Sequence, residues 1–219
     1  RRLPVVLSHA EVQCILEQMS GLHRVMVELL YGAGLRLNEM LSLRVKDIDF
    51  ELVTITVRSG KGDKDRTTLL PEKLIDPLRE QLASVAKLHR RDLEDGYGEA
   101  YMSYALGRKY KSESRELGWQ FVFPATRIGP CPRTGALRRH HLHQSALRKH
   151  LSRARKQSGV VKPVHCHTFR HSFATRLLEK GYDLRTIQKL LGHSDVKTTE
   201  IYTHVLRRGP LGVISPLDG

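Results

Sequence analysis

The stretch HTFRHSFATRLLEKG, His167 to Gly181, poses a helix and a charge problem together. Phe169, Phe173, Leu177 and Leu178 recur at helical spacing, Thr168 is the expected N-cap, and Gly181 falls where a helix stops. His167 and Arg170 are three residues apart, so both lie near the helix start, where unpaired backbone N–H groups favour an anion. An inward apolar face, combined with His167, Arg170 and His171 in one turn, reads as one wall of an anion site.

Working outward, the same periodicity gives a mainly helical chain. DLRTIQKLLGHS and SDVKTTEIYTHVL follow as two short helices, capped by Asp183 and Ser194. HHLHQSALRKHLSRARKQSG precedes as a strongly basic helix. Near the N-terminus, Ser8 and Glu11 form a capping box ahead of Val12, Ile15, Leu16 and Met19. A second helix over about 22–31 ends in YGAG, and RLNEMLSLRV opens a third. LVTITVRSGKGDKDRTTLL reads as a hairpin. PEKLIDPLREQLASVAKLHRR is an amphipathic helix with Leu74, Leu78, Leu82, Val85 and Leu88 on one face. WQFVFPA is a short strand or core plug, and 96–118 reads as a peripheral element. The fold class expected is mainly α with a small antiparallel β-sheet, that is, α+β.

Composition narrows the anion. Lysine and arginine number 37 against 23 acids in 219 residues, a formal charge of +14. Such a field attracts polyanions, with nucleic acid ahead of an anionic membrane surface, because the basic helix lacks a large apolar face. No apolar run is long enough to span a bilayer. Three scattered cysteines, Cys14, Cys131 and Cys166, argue for a reducing compartment, and their spacing supports no metal site.

Five separated features then fall in order. They are Arg36 in YGAGLRLNEML, Lys61 at the hairpin tip, the pair His167 and Arg170, His193 in LLGHSD, and Tyr202 in IYTHV. This order and spacing resembles the catalytic set of tyrosine recombinases over nearly the whole chain. The resemblance implies that fold, DNA as partner, and strand cleavage through a 3′-phosphotyrosyl link with no cofactor and no metal. Tyr202 is then the nucleophile. Arg36 and Arg170 grip the phosphate with planar forks that lysine cannot reproduce. His167 takes the phenolic proton or bonds the phosphate, and His193 holds a non-bridging oxygen. Lys61, with Lys64 as its competitor, protonates the leaving 5′ hydroxyl. Glu39 orients Arg36 from one turn away, and His171 is a structural hydrogen bonder.

A narrower resemblance rests on ALGRKYKSESRELGWQFVFPA, RRHHLHQSALRKHL and THVLRRGPLGVISPLD, which look like integron integrases. It implies recombination of folded single-stranded attC hairpins with double-stranded attI in the bacterial cytoplasm, and a helical insertion at about 100–118. It also implies a C-terminal tail at about 207–219 that packs on a neighbouring protomer of a tetramer. On this resemblance 1–219 is the catalytic domain alone, a monomer in isolation, lacking the family's N-terminal core-binding domain and therefore weakly active or inactive. The DNA-contact candidates are Trp119, His140, His141 and His143 for extrahelical bases, and Arg138, Arg139, Arg148, Lys149 and Arg153 for phosphates. The competing readings are another tyrosine recombinase, of Xer or phage-integrase type, or a non-catalytic DNA-binding module of the same fold.

Overall fold

The computed structural model of the protein describes residues 4–58, 65–102, 113–202 and 217. Helix α1 (His9–Glu17) starts at the expected capping box: Ser8 Oγ accepts from the Glu11 N–H, and Glu11 Oε2 accepts from the Ser8 N–H at 2.7 Å. Helix α2 (Gly21–Gly32) buries Met26, Val27, Leu29 and Leu30 completely, which makes it the central element. After α3 (Leu37–Leu41), the strands β1 (Ile48–Asp49), β2 (Thr54–Val57) and β3 (Arg66–Leu69) form an antiparallel sheet in sequence order. The register pairs Ile55 with Thr68 and Val57 with Arg66. A turn of 3-10 helix (Glu72–Leu74) leads into α4 (Ile75–Glu94), where Pro77 sits in the first turn and costs no hydrogen bond.

The C-terminal half adds a two-stranded ribbon, β4 (Gly129–Pro130) with β5 (Leu137–Arg138). Helices α5 (Gln144–Gln157), α6 (Cys166–Glu179), α7 (Leu184–Leu191) and α8 (Lys197–Glu200) follow. Helix α6 lies along α2, with α1 and α7 against its other sides. Leu7 N–H donates to Ser172 Oγ at 2.9 Å, and that hydroxyl donates to Thr168 O, which ties the N-terminal segment to α6. Arg139 joins α4 to the segment before α5. It donates through Nε and Nη2 to Asp92 at 2.5 and 2.6 Å and through Nη1 to Ala125 O. Among the described residues no helix is long and apolar enough to cross a membrane.

The observed class is the expected one, with local differences. Helix α6 begins three residues earlier than Thr168 would place it. His165 is the N-cap, and the Thr168 hydroxyl accepts the His165 N–H at 3.1 Å from inside the first turn. Ser194 does not cap α8; Asp195 Oδ1 accepts the Lys197 N–H instead, and the helix is four residues long. WQFVFPA is a plug, with Val122 and Phe123 fully buried and single bridges from Phe121 to Arg44 and from Pro124 to His141. The hairpin tip at 59–64, most of the 100–118 stretch and the tail from 207, apart from residue 217, lie outside the described residues.

Gly34 links fold to site. Its φ of +64° lies in the left-handed region, and a Cβ there would collide with the Phe173 ring. We expect Gly34→Ala to cost on the order of 1–3 kcal/mol, the range for a side chain forced into a sparsely populated conformation. Urea unfolding checks this, and an unchanged midpoint would contradict it.

Candidate active site

The site forms where α3, β3, α6 and the end of α7 meet. Arg36 is the N-cap of α3, and Glu39 sits three residues on, so Glu39 accepts from both the Arg36 backbone N–H at 2.8 Å and Arg36 Nη1 at 2.6 Å. The same carboxylate takes a two-bond fork from Arg66: Nη1 to Oε1 at 2.9 Å and Nη2 to Oε2 at 2.7 Å. Arg170 Nη1 stands 3.6 Å from Glu39 Oε2. Burial alone would raise the Glu39 pKa. The hydrogen bonds from Arg66 and Arg36 and their charges reverse that and hold it at about 2.

Arg170 is 1% exposed, an unusual depth for a guanidinium. It is tolerated because Nη1 donates to Gly34 O at 2.7 Å and Nη2 to Leu191 O at 2.5 Å, both carbonyls left over at element ends. Burial and the neighbouring Arg36 cation lower its pKa to about 9, so it stays charged at neutral pH.

The imidazoles line the same pocket and are held neutral. Burial, followed by Arg170 and Arg36, pushes His193 down to about 3; burial, followed by His167 and Arg170, pushes His171 to about 4. Partial enclosure and the same two arginines lower His167. A neutral imidazole can accept a proton, which an imidazolium cannot. The His167 and His171 rings meet edge-on at 4.7 Å. His193 Nδ1 lies 2.9 Å from Thr199 Oγ1, and its ring lies nearly parallel to that of Tyr202 at 6.4 Å.

Tyr202 is 1% exposed, in an apolar cluster with Phe173, Ala174, Ile187 and Leu191. Its Oη is 2.8 Å from His171 Nδ1. When Nδ1 carries no proton, the phenol donates to it. Burial raises the phenol pKa, while Arg170 and Arg36 pull it back. The imidazole that bonds the phenol is therefore His171, whereas sequence pattern had pointed to His167 for this contact.

The structure brings Arg36, Glu39, His167, Arg170, His193 and Tyr202 into one pocket; Lys61 lies outside the described residues. Arg66 is the member that pattern reading missed. Its only signal is alternation, since it shares the inward face of β3 with the buried Thr68.

The DNA-contact candidates divide. Arg148, Lys149 and Arg153 are exposed along α5. Arg138 donates to Ala100 O and Glu99, and all three Arg139 nitrogens are committed within the fold. Trp119 is half-buried, with Lys46 over its ring and its carbonyl accepting from Arg44. His140 is exposed and packs beside His141 and Phe121, while His143 is the N-cap of α5, with Nδ1 accepting the Ser145 N–H.

Comparison with known proteins bears on this pocket. A family model described as the phage integrase family matches residues 5–208. An integrase/recombinase of Escherichia coli is 50% identical over 218 residues, covering 100% of this chain and 65% of that protein. A tyrosine recombinase of Pseudothermotoga lettingae is 32% identical over 219 residues, 99% of this chain and 62% of that one. The chain thus spans somewhat less than two thirds of these relatives. Among solved structures, a XerH site-specific recombinase bound to palindromic difH substrate in a post-cleavage complex matches with a TM-score of 0.65 at 28% identity. That match covers 94% of this chain and 51% of the other.

Two outcomes follow from the geometry. An unfolded histidine protonates near 6.5, whereas His171 resists to about 4 and His193 to about 3. Between those values the unfolded chain binds more protons, so stability is full above pH 6.5 and falls as pH drops through the window. Urea midpoints should decline from pH 7 to 4.5, less steeply in His171→Gln; a flat profile in the wild type would contradict the assignment. Separately, Arg139→Ala should cost about 3–5 kcal/mol, because it leaves the Asp92 carboxylate buried and unpaired. Calorimetry reads this, and loss of DNA affinity at unchanged stability would show Arg139 to be a DNA contact instead.

Proposed function

The chain belongs to the phage integrase family, the tyrosine recombinases, and from that membership we propose that it is the catalytic domain of an integron-type integrase. On this reading it cuts and rejoins DNA through a 3′-phosphotyrosyl intermediate on Tyr202. The observation that carries the reading is the convergence of Arg36, Arg170, His167, His193 and Tyr202 on one pocket around Glu39.

Each group has a defined task in the proposal. The Tyr202 oxygen attacks the scissile phosphorus and forms the P–O bond as the bond to the 5′ oxygen breaks. The phenolic proton passes to an imidazole, and in the resting geometry the one bonded to it is His171. Arg36 and Arg170 neutralise the charge that develops on the phosphorane. His167 and His193, held neutral, bond its oxygens. Lys61 supplies the proton that the departing 5′ hydroxyl needs. A 5′ hydroxyl from a second strand reverses the steps, so the energy of the broken bond is kept and no cofactor is called for.

The integron assignment draws on the resemblance of ALGRKYKSESRELGWQFVFPA and RRHHLHQSALRKHL to integron integrases. The exposed His140, packed beside His141 and Phe121, adds support, since an imidazole face suits an unstacked base. Tetramer formation on folded attC and duplex attI, with the tail from 207 packing between protomers, belongs to the same proposal, as does a place in the bacterial cytoplasm. The second reading, a Xer-type recombinase, is favoured by the match to XerH bound to palindromic difH substrate.

The test uses a folded attC bottom strand and a palindromic duplex, each nicked near the cleavage point. They are offered to the chain and to the chain joined to a core-binding domain. A denaturation-resistant adduct on the hairpin, absent in Tyr202→Phe, is expected. An adduct on the duplex alone would replace the integron reading with the Xer reading. DNA binding with no adduct in either form would leave a non-catalytic binding module.

A further inference from the structure

Arg66 has no task in the mechanism above, yet it is the most fully bonded guanidinium beside the site. Its side chain is 10% exposed. Two nitrogens fork onto Glu39, and Nε donates to Leu190 O at 2.9 Å. Leu191 O is taken by Arg170, so two arginines hold the last carbonyls of α7. The next residue, Gly192, has φ +63°, and a Cβ there would come within 2.7 Å of Arg66 Cδ. His193 follows directly.

We propose that Arg66 is a positioning residue: by occupying the Glu39 carboxylate it keeps Arg36 available to the scissile phosphate, and by holding Leu190 it fixes where His193 leaves α7. The proposal rests on reading this pocket as the recombinase active centre. Two groups compete for one fork. A carboxylate and a guanidinium pair best through two parallel bonds. Glu39 and Arg36 are close enough to do so, and such a pair would compete with a phosphate for the same donors. Arg66 already supplies that fork, so the Arg36 side chain meets Glu39 through a single nitrogen, Nη1. One carboxylate charge is then shared by three cations, Arg36, Arg66 and Arg170, and the pocket keeps a net positive field.

A purely structural ion pair would make a different prediction, which Glu39→Gln separates. Four proteins are compared: wild type, Arg66→Met, Glu39→Gln and the double variant. Adduct formation on nicked DNA is read in single turnover at saturating protein, and DNA affinity is read separately by anisotropy. Arg66→Met should slow adduct formation by about tenfold to a hundredfold, the scale of a small misplacement of reacting groups, with affinity nearly unchanged. In the double variant the competing charge is gone, so most of the rate should return to that of Glu39→Gln alone. Arg66→Lys keeps the charge but loses the fork, so it should recover little, and it serves as the test if Arg66→Met fails to fold. A wild-type rate in Arg66→Met, or no recovery in the double variant, would overturn the proposal. If the wild type itself forms no adduct, the recombinase reading fails first. The Arg66 claim is then decided by the Arg36 Nε–H resonance on adding inorganic phosphate. That resonance should shift in the wild type and the double variant but not in Arg66→Met, and equal shifts in all would overturn it.

Discussion

The Glu39 carboxylate is the constraint on which the pocket depends. Three guanidinium groups within one site repel each other, and Arg170 is buried at a depth where an uncompensated cation would be costly. Glu39 makes the cluster tolerable from the first turn of α3, one turn from Arg36 and across from β3 and α6. The remaining compensation comes from carbonyls at element ends, those of Gly34, Leu190 and Leu191. Helix ends and a left-handed glycine turn, ordinarily a liability in backbone hydrogen bonding, here serve as acceptors for cations. The fold and the electrostatics of the site are therefore one arrangement.

The same field accounts for the state of the other groups. Burial, reinforced by the neighbouring charged groups, keeps His167, His171 and His193 neutral, so they stand as proton acceptors and hydrogen-bond partners and not as further cations. Tyr202 is opposed by burial and favoured by the arginines, and burial is the larger effect. A phenol that is 1% exposed and packed on Ile187 and Leu191 does not meet a phosphodiester where it rests. Reaction on the proposed course therefore requires the segment after α7 to shift and uncover the ring. The work of that shift falls on DNA binding or assembly, which must favour the exposed arrangement.

Most of the fold was legible because it follows local rules. The Ser8–Glu11 capping box, the apolar period of α2 and α4, and the Asp183 cap all appear as the pattern predicts. The site was legible to the extent that its members sit in short boxes around Arg36, His167, His193 and Tyr202. What escaped was set by tertiary contact. In β3 the apolar Leu69 faces outward at 45% exposure, while Thr68 is buried with its hydroxyl donating to Ala33 O. A hydrophobic reading of that strand points the wrong face inward and hides Arg66. His171 pairs with Tyr202 only because α6 and the turn after α8 meet in space, 31 residues apart in sequence. Arg139 looked like one more residue of a basic run, yet its partner Asp92 lies 47 positions away.

The central claim is that this pocket exists to make and break one bond between a DNA 3′ phosphate and the Tyr202 oxygen. The most direct measurement traps the adduct on nicked DNA, digests it with protease and nuclease, and sequences the nucleotide-bearing peptide by mass spectrometry. The account predicts attachment at Tyr202 through a 3′ phosphate, with a free 5′ hydroxyl on the released strand. A 5′ linkage, or attachment at another side chain such as the exposed Tyr182, would contradict it.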